Sequence, residues 1–280
     1  MKSIVVWVLL GCLGCGLARG EEPAPKIRVL YVEGYPRWEY RALVRCLLRD
    51  PGLEVHCFLQ SAEDDFPQET SGGAEPLVAF PRTQKELSAY DVILFGDVDL
   101  AELVRHEEVQ ATLSALRDFV SDGGGGLGFI AGPREDPFKY ANTPLAEVLP
   151  VLPEKASDKE EPSAETRPRL TDEGKKHPVT QFDSDADASA RLWDTDLPPL
   201  TWHAAVKGAK PQAAVLAVWP VGERHDPLVA VATYGEGRTL FLGTDETWRW
   251  RKLDADKSFY AFWRHAIDYL AQGKPKPPPK

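Results

Sequence analysis

The sequence is short of the residues that usually mark a catalytic protein. It holds four cysteines in 280 residues, and Cys12 and Cys15 both fall within the first twenty. That leaves Cys46, in an expected helix, and Cys57, in an expected strand. Neither stands on a sharp turn beside a base, so neither has the setting of an activated nucleophile. Buried free thiols are expected, with a disulfide as the alternative in an oxidising compartment. The six histidines, at 56, 106, 177, 203, 225 and 265, form no HxH or HxxxH pair, which leaves a zinc site without support. No GxSxG occurs, so the usual exposed-serine elbow is excluded. Positive charge is also scarce: 33 Lys and Arg face 43 Asp and Glu, a net charge of −10. Nucleic acid is therefore not expected as a partner, because phosphate binding needs a basic footprint.

Two glycine and aspartate runs imitate ligand loops without completing them. GGGGLGF (123–129) lacks the Lys-Ser/Thr pair of a phosphate cradle, and its glycines precede a strand rather than follow one. It reads as a helix stop and tight turn. DSDAD (183–187) resembles the start of a calcium loop, but Ala188 stands where glycine is needed and the twelfth position is not Glu. No cofactor and no metal are implied.

The first twenty residues are expected to be an export signal. Lys2 supplies a thin basic start, Ile4 to Leu17 an apolar run, and Ala18-Arg19-Gly20 a small-x-small cleavage site before Glu21. The run is too short for a span of roughly 20 residues. Leu9-Leu10-Gly11-Cys12 resembles a lipobox, so lipidation at Cys12 is the alternative and the one route by which a membrane enters. Export to the periplasm or cell envelope is the expected destination.

Beyond Pro25, apolar strands alternate with amphipathic helices. KIRVLYV, LEVHCFL, DVILFGDV and LGFIAGP read as covered strands, with helices from Pro36 and over Val109 to Val120. A polar connection over 61–88, with a Gly72-Gly73 turn, is expected to run along one edge. The span 150–199 reads as a polar, solvated insertion. AAVLAVWPV, PLVAVATYG and GRTLFLG follow as late strands, the last two joined by Gly235-Glu236-Gly237. An aromatic helix, Asp256 to Ala271, and a Pro/Lys-rich tail (273–280) close the chain. The fold class is α/β, an open, mostly parallel sheet flanked by helices, with the domain over 26–272.

Ligands in such sheets gather beyond the carboxyl ends of the strands. Four strand ends here offer carboxylates, guanidiniums, indoles and glycine: Glu33, Tyr35, Arg37 and Trp38; Asp97; Gly132; and Asp245, Glu246, Trp248 and Arg249. These ten form the candidate binding cleft. Trp248-Arg249-Trp250-Arg251, read as extended chain, puts both indoles on one side and both guanidiniums on the other. The arginines are then expected to pair with acids such as Glu33 or Asp97.

VEGYPRWEYR, FGDV, GGGLGFIAGP and GTDETWRWR together resemble the class I glutamine amidotransferase-like domain, of the kind found in planctomycete-type bacterial envelope proteins. The resemblance covers Lys26 to about Ala271 and implies a flavodoxin-like strand order. It also implies a nucleophilic cysteine at Ile130-Ala131-Gly132-Pro133 and a His and Glu near Gly243 to Thr247. No cysteine or histidine occupies those positions. The expected function is a non-catalytic binding or interaction module, its partner an envelope protein or a small ligand. Two alternatives stand beside it. One is a hydrolase using Asp97, Asp245 or Glu246, with or without a metal; the other is a structural component docking through the aromatic closing helix.

Overall fold

Strands made of unbroken apolar residues end up covered on both faces, and β1 (Ile27–Glu33) is the clearest case. Val29 and Tyr31 enter one hydrophobic cluster, Leu30 and Val32 the other, so the sheet divides the core into two layers. The computed structural model describes residues 25–63, 65–154 and 164–274. The expected export signal, the Cys12 lipidation motif, the centre of the charged stretch (155–163) and the tail from 275 lie outside the described residues.

In chain order, α1 (Trp38–Leu47), β2 (Leu53–Leu59), a short α2 (Gln84–Leu87) and β3 (Val92–Phe95) follow β1. Then come α3 (Val109–Ser121), β4 (Gly126–Ile130), α4 (Leu145–Val148), β5 (Val151–Pro153), β6 (Arg169–Leu170) and α5 (Ala186–Arg191). The chain ends with β7 (Val206–Ala209), β8 (Ala214–Val221), β9 (Arg224–Tyr234), β10 (Gly237–Leu242) and α6 (Lys257–Leu270). Among the described residues, the main sheet has eight strands in the order β2-β1-β3-β4-β10-β9-β8-β6. The first five are parallel, and β9, β8 and β6 add antiparallel strands at one side. Strand order reverses between β1 and β3, which makes their carboxyl ends the switch point. β5 and β7 pair as a separate antiparallel ribbon.

The glycine run does what its position predicted. Gly123 and Gly125 donate to the Asp118 and Phe119 carbonyls of α3, and Gly124 takes φ +64 to turn the chain into β4. Asp183 and Asp185 accept backbone N–H groups, and Asp185 caps α5. The connection after β2 lies along that edge: Cys57 N–H donates to Glu69 O, Ser71 N–H to Val55 O, and Gln68 holds Leu59 from both sides.

Two expectations need correction. The described part of 150–199 is not merely solvated, because Val179, Trp193 and Leu197 are buried in the core cluster beneath α6. Trp193 stacks on Phe182 at 5.4 Å, meets Trp250 edge-on at 5.4 Å, and donates its indole N–H to Thr180 O at 3.0 Å. Its apolar neighbours come from distant sequence, so a local composition dominated by charge hid it. The aromatic helix, for its part, turns most of its aromatic side chains into the core. Phe259, Phe262, Trp263 and Tyr269 are buried. Tyr260, 40% exposed, spends its hydroxyl on Asp50 Oδ2 at 2.7 Å.

If Trp193 is core rather than insertion, Trp193→Ala should lower unfolding free energy by about 3–5 kcal/mol. Urea denaturation followed by circular dichroism measures it. A loss below about 1 kcal/mol would return the segment to the periphery.

Candidate functional site

An ion pair inside a sheet must have every polar atom partnered, or burial makes it prohibitive. The carboxyl end of β1 meets that condition. Glu33, with no exposed surface, accepts from Arg37 Nε at 3.1 Å and Tyr31 Oη at 2.9 Å on one oxygen. The other oxygen accepts from the backbone N–H groups of Gly34 at 3.1 Å and Asp97 at 3.0 Å. Burial raises the Glu33 pKa, against the opposing pull of Arg37 and the hydrogen bonds from Tyr31 and the Asp97 amide. The Arg37 side chain, 5% exposed, turns its remaining N–H groups to Ala131 O at 2.6 Å, Ile130 O at 3.0 Å and Asp245 Oδ2 at 3.3 Å. Burial works against its charge, but Glu33 and Asp245 outweigh that and its pKa rises. One guanidinium thus ties together the ends of β1, β4 and β10.

Asp97 closes the β3 end. Its Oδ1 accepts from the N–H groups of Glu135 at 2.6 Å and Asp136 at 3.0 Å, and its Oδ2 from that of Arg134 at 3.1 Å. The approach is so close that a Cβ on Gly132 would lie 2.2 Å from Asp97 Cγ, and one on Gly96 2.4 Å from Glu33 Oε2. Gly132 therefore serves the close packing of a buried carboxylate. Asp136 is fully buried, and neither carboxyl oxygen has a hydrogen-bond partner among the described residues. Burial, with Asp97 nearby, pushes it well above the usual carboxylate range.

The segment after β10 corrects the expected ladder. Thr247–Lys252 is a 3₁₀ helix, not extended chain, so indoles and guanidiniums do not segregate to two sides. Trp250 turns fully into the core, while Trp248 stays half-buried. Nor do the arginines reach Glu33 or Asp97. Arg249 pairs with Glu246 at 3.0 Å and Arg251 with Asp256 at 2.8 Å. Glu246 also accepts from Thr201 Oγ1 at 2.7 Å, from the Thr201 N–H, and from the Trp202 N–H at 3.1 Å, pinning the 201–202 loop. The start of the 3₁₀ helix hangs on a residue that the sequence concealed. Glu39, buried on α1, accepts from the Thr247 hydroxyl and, at 3.0 Å, from the Trp248 N–H. Burial lifts its pKa to about 7.

What solvent can reach lies above this network. Asp245 has a side chain 21% exposed, and burial raises its pKa against the pull of Arg37. Tyr35 is half-buried, its phenol pushed up to about 12 chiefly by burial, with the Arg134 guanidinium 3.9 Å above its ring. Trp38 is 66% exposed and packs on Trp248 at 5.9 Å between ring centroids. Arg41 lies over the Trp38 ring at 5.5 Å and Arg249 over Trp248 at 5.2 Å. Of the ten expected cleft residues, then, Glu33, Arg37, Asp97, Gly132 and Glu246 build the floor. Tyr35, Trp38, Asp245, Trp248 and Arg249 remain for contact. Among the described residues, no three His, Cys, Asp or Glu side chains form a metal-holding group.

β4 and β10 are adjacent parallel strands, so Ile130 to Pro133 and Gly243 to Thr247 emerge side by side. A family model described as "Putative glutamine amidotransferase" matches residues 59–272. The chain belongs to this family. Solved structures agree on the fold. Two cytoplasmic proteins of Salmonella typhimurium superpose with TM-scores of 0.61 and 0.62 at 20% and 23% identity, each over 87% of this chain and 99% of its own. A ThuA-like protein from Bacteroides uniformis aligns over 91% of this chain and 95% of its own, with a TM-score of 0.52 and 12% identity. Likeness at these identities concerns architecture, not activity. A search of curated proteins finds no match.

Two outcomes follow from the network. Arg37→Met leaves Glu33 buried without its counter-charge and should cost about 3–5 kcal/mol. Adding Glu33→Leu should recover much of that loss in the same urea titration; a single variant as stable as the parent would remove the pair from its central place. Glu39 sets a pH signature. Its folded pKa is raised, so its contribution is intact below the ordinary value of 4.5 and fades as pH rises to about 7. The full loss is of the order of 3 kcal/mol. In Glu39→Gln, the urea midpoint should fall less steeply across that window than in the parent; parallel profiles would exclude Glu39 as a source.

Proposed function

We propose that this amidotransferase-like domain is a non-catalytic binding or interaction module, exported to the cell envelope, of the kind carried by planctomycete-type bacterial envelope proteins. The observation that carries the reading is the position of Arg37. Two of its N–H groups are spent on the carbonyls of Ile130 and Ala131, where the family resemblance implies a presented nucleophile. A buried guanidinium stands there with its carboxylate partners, and no thiol or imidazole stands beside it in the sequence. Nucleophilic amide hydrolysis requires such a group together with an activating base.

The accessible surface of the site is suited to contact rather than to chemistry. Trp38, Trp248, Tyr35, Arg134 and Arg249 present ring faces with cations seated on them, which serve recognition of a small ligand or of a partner protein's side chains. A carboxylate hydrolase is less well supported. Of the carboxylates that reading names, Asp97 and Glu246 already accept hydrogen bonds on both oxygens, so neither is free to share acid–base work with Asp245. Export rests on the composition of residues 1–20; no helix among the described residues is long and apolar enough to cross a membrane.

Ammonia release from L-glutamine by the purified chain should equal the buffer background. Turnover that co-purifies with the chain and disappears in Asp245→Asn would overturn the non-catalytic reading. Expressed in a Gram-negative host, the chain should be recovered from the periplasm beginning at Glu21. Recovery of an intact N-terminus from the cytoplasm would remove the export part.

A further inference from the structure

A cavity of about 260 Å³ lies between α1 and the turn that leads into α6, away from the strand ends. Its floor is apolar, formed by Ala42, Phe259 and the half-buried Cys46. Its walls carry Arg45, Arg49, Arg251 and Lys257 against one carboxylate, Asp256, which Arg251 already holds at 2.8 Å. Arg45, Arg49 and Lys257 have no ion pair or side-chain hydrogen bond among the described residues. In a chain of net charge −10, three unspent cations around one depression are a local reversal of sign. The wall also includes Ala255 at φ +55 and Asp256 at φ +76, two consecutive non-glycine residues in the left-handed region. Such backbone is retained where the surrounding structure holds a particular shape.

Charge and surface together select the occupant. Water and chloride would satisfy the cations alone, but they would leave the Ala42–Phe259 floor wet. A purely apolar molecule would cover the floor and bring nothing to the guanidiniums, which favour phosphate and carboxylate. The volume lies just below the 300–1,000 Å³ of ordinary small-molecule sites, which restricts the occupant to a compact one. We propose that this cavity is a second, independent binding site, for a compact organic anion whose aryl or short alkyl body carries a phosphate or carboxylate.

Cys46 in the cavity floor provides the readout, with buried Cys57 as an internal control. Burial pushes the Cys46 thiol up to about 12, so labelling is slow. The full chain is alkylated with excess iodoacetamide at mildly alkaline pH over hours, with and without phenyl phosphate or benzoate, and each cysteine is followed by peptide mass spectrometry. The proposal expects at least one of these probes to slow Cys46 labelling about tenfold at ten times its dissociation constant, leaving Cys57 unchanged. Protection should disappear in Arg45→Gln/Arg49→Gln, two exposed positions, and separately in Lys257→Gln should the double variant fail to fold. Absence of protection by both probes at millimolar concentration would overturn the site. Equal protection by inorganic phosphate would reduce it to an ion site without an apolar seat. Equal protection by benzyl alcohol would show that charge plays no part. Because no strand-end residue is involved, these outcomes are separate from those for the proposed binding function.

Discussion

Burying the Arg37 guanidinium beneath the carboxyl ends of β1, β4 and β10 constrains everything around it. An ion in that position loses several kcal/mol of hydration, which only close and complete partnering offsets. Glu33 must therefore stand opposite, and Glu33 in turn needs the Gly34 and Asp97 amides and the Tyr31 hydroxyl. For the Asp97 amide to arrive there, β3 must end in Gly96, since no side chain fits against the Glu33 carboxyl. The Asp97 carboxylate then gathers three amides from the loop after β4. A single buried charge thus bears on residue choice at Tyr31, Glu33 and Gly96 and on the backbone at Gly34 and Asp97. It also leaves Ile130 O and Ala131 O occupied, which alters what that turn is able to present.

The same region sets the family's architecture beside residues particular to this chain. The parallel order β2-β1-β3-β4-β10 and the match over 59–272 place the chain among amidotransferase-like domains. Architecture of that kind is set mainly by strand hydrophobicity and short connections, and function by the residues placed at the strand ends. Those ends here are split into two layers. Glu33, Arg37, Asp97, Glu39 and Glu246 are interior and hold loops together. Tyr35, Trp38, Trp248 and Arg249 lie outside them and are free to meet something else.

The sheet was legible because its signals are local. A covered strand is a run of apolar residues, and α1, α3 and α6 announce themselves by spacing and by their Pro and Gly boundaries. The site was legible as a set of residues and illegible as a set of contacts. Glu39 reads as an ordinary acid in the first turn of a helix; its partners Thr247 and Trp248 are 208 and 209 residues away. Arg37 could be named, but nothing nearby says that it is interior. The Trp-Arg alternation suggested a strand because period two is the strand's own period. The chain instead winds into a 3₁₀ helix, since Trp250 must reach Phe262 and Trp193 while the Glu39 carboxylate holds Thr247 and Trp248. Trp193 itself was hidden in a charged stretch, where composition and burial part company.

The segment that follows β2 has a consequence beyond joining two elements. An outermost strand with free amides is a template on which a second sheet can grow. Here residues 68–71 occupy the outer amides of Val55, Cys57 and Leu59, partly through side chains that cannot themselves extend a ladder. The opposite margin, β6, is two residues long. Among the described residues, the β2 margin is thus covered, while β6 pairs with only Ala217 and Val218 of β8. On the β2 side, that cover comes from a polar loop with little apolar content of its own.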